Sequence, residues 1–154
     1  MNTLNPNACH QSDAQTTKKI LIVDDHRIIR VLIRLTLGDD NFQITECSNT
    51  LEVLKSLKES IPDLIILDIM MPGKIDGYTL CENLKSNDLF KNIKIILLSA
   101  RGGIDDIEEG TRVKADAYIT KPFSPLKLIY EVNSLLAQSE HLFYSLHQQV
   151  DLQQ

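Results

Sequence analysis

Cysteine is scarce. Cys9, Cys47 and Cys81 are the only three in 154 residues, and they form neither a CxxC pair nor a Cys/His spacing. That excludes a disulfide framework and a structural zinc site, and it fits a reducing cytoplasm. Long apolar runs are absent too: the longest, such as Ile95 to Leu98, last a few residues, so nothing spans a membrane. Residues 1–17 lack the apolar segment of a secretory signal. Basic charge is not in excess, with 21 Asp and Glu against 16 Lys and Arg, a formal charge of −5 and a pI near 5.3. A bulk electrostatic grip on nucleic acid is therefore not expected. No fixed-period repeat is visible. Apolar residues at 43% and charged residues at 24% exclude full disorder and coiled-coil composition. A chain of this length buries roughly two-thirds of its unfolded surface, enough for one core.

What is present is a regular beat. Residues 1–17 read as a disordered polar leader, residues 18–137 as one domain, and residues 138–154 as a tail. Ile20–Val23, Leu64–Leu67 and Ile95–Leu98 are continuous apolar runs, as expected of strands buried on both faces. Phe42–Thr45 and Ala117–Thr120 alternate instead, which suits edge strands. Helical patterns lie between them. In the first, Ile28, Leu32 and Leu35 form one stripe, with Ile29 and Ile33 beside it and Gly38 as the stop. Val53, Leu54 and Leu57 mark the second, closed by Pro62. Tyr78, Cys81 and Leu84 mark the third, after the turn residues Asp76 and Gly77. Ile104, Ile107 and Val113 mark a short fourth. Leu128, Ile129, Val132, Leu135 and Leu136 mark the fifth, with Ser124 as N-cap and Pro125 at its first position. Strand and helix alternating five times imply an α/β fold, a five-stranded parallel sheet doubly wound by helices.

In such sheets, sites form beyond the carboxyl ends of the strands. Here those ends carry Asp24 and Asp25, Asp68, Ser99, and Thr120-Lys121-Pro122. Two carboxylates about 5 Å apart at an effective dielectric of about 20 repel by roughly 3 kcal/mol. A third acid multiplies that strain, and Lys121 offsets only part of it. Either a carboxylate is protonated or a hard divalent cation sits there, and oxygen donors suit Mg²⁺ better than Zn²⁺. A carboxylate nucleophile beside a cation, a lysine and a hydroxyl suits phosphoryl transfer through an acyl phosphate. Asp68, alone at the end of a central strand, is the expected acceptor, and Asp24 and Asp25 together the metal holders.

The motifs ILIVDD (20–25), LIILDIMMP (64–72), Asp76-Gly77, LLSA (97–100) and YITKPF (118–123), in order at strand ends, resemble a response-regulator receiver domain. The match covers about Lys18 to Ala137. The resemblance implies a flavodoxin-like (βα)5 fold with strand order 2-1-3-4-5. It implies that Asp68 accepts phosphate from a sensor histidine kinase or histidine phosphotransfer protein. Asp25 would ligate Mg²⁺ (or Mn²⁺) directly, Asp24 largely through water, and Asp68 and the Met70 backbone carbonyl would complete the protein ligands. Lys121 would pair with Asp68 and then with a phosphate oxygen. Ser99, followed by Ala100, would bind the phosphoryl group, Tyr118 would swing inward as the switch moves, and the Lys121–Pro122 bond would be cis. One departure stands out: the loop Met71-Pro72-Gly73-Lys74-Ile75-Asp76-Gly77 is one residue longer than the family commonly has.

Other features read as structural. His26 follows the acidic pair and invites a metal-ligand or proton-shuttle reading, but it is expected in the first helical turn, near solvent, without an essential role. His10, His141 and His147 fall in the tails. Gly73-Lys74 lacks the flanking residues of a phosphate-binding P-loop. Leu128, Val132, Leu135, Ser139, Leu142 and Leu146 recur at alternating fours and threes, a coiled-coil-like seam. That leaves two readings open: a fifth helix extended into the tail and able to form a homodimer, or one ending near Ala137. The expected protein is a stand-alone cytoplasmic switch, not an enzyme beyond self-phosphorylation and slow autodephosphorylation, acting on a downstream protein target or a phosphorelay. A small aspartate-nucleophile phosphatase and an unphosphorylated docking module are the alternatives.

Overall fold

The computed structural model describes residues 16–38, 40–100 and 103–137. The expected leader and tail therefore lie almost wholly outside the described residues. The elements alternate as β1 (Lys18–Val23), α1 (Arg27–Leu37), β2 (Phe42–Cys47), α2 (Thr50–Glu59), β3 (Leu64–Asp68), α3 (Gly77–Ser86), β4 (Lys94–Ser99), α4 (Ile104–Arg112) and β5 (Ala117–Thr120). A fifth helix, α5, occupies residues 125–137. All strand pairings are parallel, in the order β2-β1-β3-β4-β5. The two alternating segments are the edges. β3 is buried at every position and is central, as its unbroken apolar run requires.

Alternate residues along each strand serve opposite faces. On one face Leu21, Ile65 and Leu97 meet Val53 and Leu57 of α2 and Leu80, Cys81 and Leu84 of α3. On the other, Ile22, Ile66 and Leu98 meet Ile33 and Leu37 of α1 and Leu128, Val132 and Leu135 of α5. The sheet is wound on both sides. Among the described residues, no helix is long and apolar enough to cross a membrane.

Two apolar stripes run along α1, and the structure separates them. Ile33 and Leu37 are buried and Ile29 packs against them, whereas Ile28, Leu32 and Leu35 are 80%, 44% and 74% exposed. The stripe that leads by sequence thus faces out. Both repeat at helical spacing, and only the position of the sheet selects between them. Likewise, Ile104 and Ile107 of α4 are exposed, and the helix rests on buried Gly110 and Val113.

Local chemistry sets the helix starts. Asn49 accepts the Glu52 amide at 3.0 Å while Glu52 accepts the Ser48 amide at 2.6 Å, a reciprocal cap on α2. Asp76 accepts the Thr79 amide at 2.8 Å to cap α3. Gly77 then passes so close to β3 that a Cβ would strike the Asp68 carbonyl oxygen and lie 2.6 Å from Ile69 Cα. Its amide donates to the Ile69 carbonyl at 3.0 Å. In the loop before it, Gly73, at φ 128°, and Lys74 are exposed, while Ile75 packs on the core.

Candidate functional site

Register gathers the polar strand ends. Val23 pairs with Leu67, Asp68 with Leu98, and Ser99 with Thr120. Asp24, Asp68, Ser99 and Lys121 therefore share one rim. Asp24 is fully buried, and Asp68 and Ser99 are each 2% exposed. The Asp24 backbone is held from both sides: its amide donates to the Cys47 carbonyl at 3.2 Å, and its carbonyl accepts Arg30 Nη1 at 2.7 Å. Arg30 and Arg34 both reach Glu46 of β2, which burial would raise but which the two guanidiniums hold below the usual carboxylate range.

The Lys121 ammonium bridges two of the acids, 2.7 Å from Asp24 Oδ2 and 3.2 Å from Asp68 Oδ1. Burial alone would lower its pKa; Asp24 and Asp68 outweigh burial and raise it, so the ammonium stays charged. The Asp68 carboxyl is pushed up, first by burial and then by the Asp24 charge, against the opposing pull of Lys121 and the Met70 amide. That amide donates to Asp68 Oδ1 at 3.2 Å. The Lys121 amide donates to the Ser99 carbonyl at 2.6 Å, and the Lys121–Pro122 bond is cis.

Two carboxylates share one ammonium, and an oxygen of a third acid beside them is left over. Asp25 Oδ1 is buried and has no hydrogen-bond partner among the described residues. A buried carboxylate oxygen in that condition is costly unless a cation completes it. One donor atom each from Asp24, Asp25, His26 and Asp68 lies within 4.8 Å of the others. The hard oxygen donors and the orphaned Asp25 Oδ1 fit a divalent ion.

A cleft of about 560 Å³ opens onto this rim, lined by Asp25, Met70, Ser99, Tyr78 and Asp106 among others. Ala100 follows Ser99 and is exposed. Tyr118 is half-buried, and its ring lies against Gly110 of α4, where an added Cβ would come within 3.3 Å of it. Asp24, Asp25, Asp68 and Lys121 thus meet at the rim, Met70 and Ser99 line the cleft beside it, and Tyr118 packs against α4.

Two contacts were not expected from the sequence. His26 is exposed, as expected, but its ring folds back on the acids, with Nδ1 3.2 Å from Asp24 Oδ1 and 3.0 Å from Asp25 Oδ1. Its direct adjacency to the acid pair was the available signal. Tyr78, read as a packing residue, donates its hydroxyl to the Asp106 carbonyl at 3.2 Å and carboxylate at 3.3 Å, tying α3 to α4. No sequence pattern signals that pair. Buried Cys47 and Cys81 are pushed up to about 11 and about 12, mainly by burial, and do not act as nucleophiles near neutral pH.

Comparison with known proteins agrees with this geometry. The profile of the response regulator receiver domain matches residues 20–133. The chain is 40% identical over 122 residues to the phosphate regulon transcriptional regulatory protein PhoB of Pseudomonas aeruginosa, covering 79% of this chain and 53% of that one. It is 35% identical over 141 residues to a probable transcriptional regulator ycf27 of Guillardia theta, covering 92% of this chain and 54% of the other. The chain thus spans about half the length of the curated relatives it matches. Among solved structures, a putative response regulator from Chloroflexus aurantiacus superposes with a TM-score of 0.74 at 34% identity, over 79% of this chain and 98% of that one. A CheY-like receiver domain protein from Methanospirillum hungatei gives a TM-score of 0.74 at 25% identity, over 82% and 98%.

Proposed function

The chain belongs to the response regulator receiver domain family, signalling switches rather than enzymes, and on that premise we propose that Asp68 is its phosphoacceptor. The observation that carries the reading is the Asp68 carboxylate, 2% exposed at the end of the central strand and 3.2 Å from an ammonium it shares with Asp24. The donor is a phosphohistidine on a sensor kinase or phosphotransfer protein. An Asp68 carboxylate oxygen attacks phosphorus, the P–N bond breaks, and its electron pair returns to the imidazole, which takes up a proton. The product is a mixed anhydride on Asp68.

Asp25, Asp68 and the Met70 carbonyl would hold Mg²⁺ or Mn²⁺, with Asp24 as an outer partner. When bound, such an ion neutralises charge on the phosphoryl oxygens. Lys121 keeps its charge and pairs with the new phosphate, as its position between Asp24 and Asp68 supports. Ser99 donates its hydroxyl to a phosphoryl oxygen, with Ala100 beside it. Tyr118 and α4 then shift toward an arrangement already sampled, and a downstream protein reads that face. The proposed setting is cytoplasmic; the seam expected in residues 138–154 lies outside the described residues, and sedimentation of the full chain tests whether it forms a homodimer.

The test is intact mass after incubation with acetyl phosphate and Mg²⁺. The expected result is one acid-stable, base-labile phosphoryl group, absent in Asp68→Asn and absent with EDTA. Incorporation into Asp68→Asn equal to that of the parent would overturn the assignment.

A further inference from the structure

We infer that His26 supplies a nitrogen donor to the divalent cation at this rim and biases the site toward Mn²⁺ and the later transition ions over Mg²⁺. The inference rests on the cation reading above and goes beyond it in naming which ion the chain favours.

His26 occupies the N-cap position of α1, with its backbone amide donating to Asp24 Oδ1 at 2.8 Å. That bond fixes the turn and leaves the ring over the acid pair. Nδ1 lies 3.0 Å from Asp25 Oδ1, yet Asp25 Oδ1 accepts no hydrogen bond among the described residues. The two atoms stand at ion-pair distance, and their residues belong to the set Asp24, Asp25, His26 and Asp68 whose donor atoms lie within 4.8 Å of one another. Atoms bound side by side on an octahedral cation at about 2.1 Å are themselves about 3 Å apart, the separation seen here. The ring is 68% exposed, so it can turn its Nδ1 lone pair to the ion without disturbing the core.

Ligand type decides the consequence. Mg²⁺ takes oxygen donors, keeps much of its water and gains little from an imidazole. Mn²⁺, Co²⁺ and Ni²⁺ accept imidazole with rising affinity along the series. A rim of carboxylates alone would grip Mg²⁺ and Mn²⁺ through the same atoms; an added nitrogen separates them. The competing account is that the ring merely pairs with the two acids, 3.2 Å from Asp24 Oδ1 and 3.0 Å from Asp25 Oδ1. On that account, removing the ring changes the affinity for every divalent ion alike.

The experiment titrates Mg²⁺ and Mn²⁺ separately into the full chain by calorimetry at about pH 8, above the ordinary imidazole range. Wild type is compared with His26→Ser, since serine is a preferred N-cap and keeps α1 intact. Mn²⁺ affinity is expected to fall about tenfold while Mg²⁺ affinity changes less than about twofold. Electron spin-echo spectra of the Mn²⁺-loaded wild type should show imidazole nitrogen coupling that the variant lacks. Equal losses for both ions, an unchanged ratio, or no nitrogen coupling would overturn the role of His26 while leaving the cation site standing. Failure of the wild type to bind either ion would overturn both.

Discussion

Two lysine–aspartate clusters sit at opposite rims of the sheet, and they are balanced in opposite ways. At the amino ends of the strands, Lys85 of α3 meets Asp116 at 2.6 Å and the Ile93 carbonyl at 2.7 Å. Asp116 also accepts the Ile95 amide at 2.8 Å, and Lys94 stands 3.6 Å away. One carboxylate has two cations and a backbone donor, and α3, β4 and the start of β5 are clamped together. At the carboxyl rim, two carboxylates share Lys121, and Asp25 Oδ1 beside them has no hydrogen-bond partner among the described residues, only the His26 ring nearby. The same residue types make a closed clamp in one place and an unfinished site in the other. Where charge is left over, the donor set fits a divalent cation.

Removing a cation from the closed clamp should have the largest effect on folding. Lys85→Met leaves Asp116, 19% exposed, with only Lys94 and the Ile95 amide. Breaking a buried pair from one side costs about 3 kcal/mol or more; the residual exposure and Lys94 reduce that to about 2 kcal/mol here. Urea unfolding measures it, and the initial rate of phosphorylation by acetyl phosphate should stay unchanged. A loss below about 0.5 kcal/mol would mean the clamp is ornamental.

The open rim should respond with the opposite sign. The Asp68 pKa is higher in the folded chain than in the unfolded one, through burial and then Asp24. Its contribution to stability is full below the unfolded value and is lost as pH rises through the raised folded value. At pH 7 without metal, the ionised group therefore works against folding. Asp68→Asn removes that strain and should stabilise the chain by on the order of 1 kcal/mol. The gain should shrink as pH falls toward the ordinary aspartate range. Thermal melts in EDTA across that span check it; a gain that grows on acidification would reverse the argument.

These contrasts also mark how far the sequence could be read. β1, β3 and β4 are apolar runs ending in Asp or Ser, so fold and rim were legible together: one-dimensional pattern and site coincide at strand ends. Edge strands were legible because alternation reports one-sided cover. The packed face of α1 was not, because Ile28/Leu32/Leu35 and Ile29/Ile33 have the same period. The clamp was not either: Lys85 and Asp116 are 31 residues apart, and each alone resembles a surface charge. His26 fell between these cases, its exposure expected and its fold-back onto Asp24 and Asp25 not. Pattern reports what a residue does toward the core, whereas a pair needs the fold to bring both members together.

The smallest expected effect concerns the tie between the rim and the helices that follow it. Tyr78 holds Asp106 by bonds of 3.2 and 3.3 Å, near the long end of useful geometry. Burial first, and then Tyr118 and Asp106 beside it, hold the phenol far above its ordinary pKa, so it stays a neutral donor at working pH. Tyr78→Phe keeps the ring and its packing and deletes only the hydroxyl, with its bonds to Asp106 and Tyr118. The stability loss should be about 0.5 kcal/mol, much smaller than for the clamp. Its meaning lies in where that loss falls. If phosphorylation works by shifting α4 and Tyr118 between arrangements already sampled, loosening one tie should raise the unphosphorylated population of the shifted form by about twofold. Hydrogen exchange should then quicken in α4 and leave β3 and the Lys85 clamp untouched. Exchange that quickens uniformly would mean Tyr78 supports the fold at large, and the weak tie would belong with the clamp rather than with the switch.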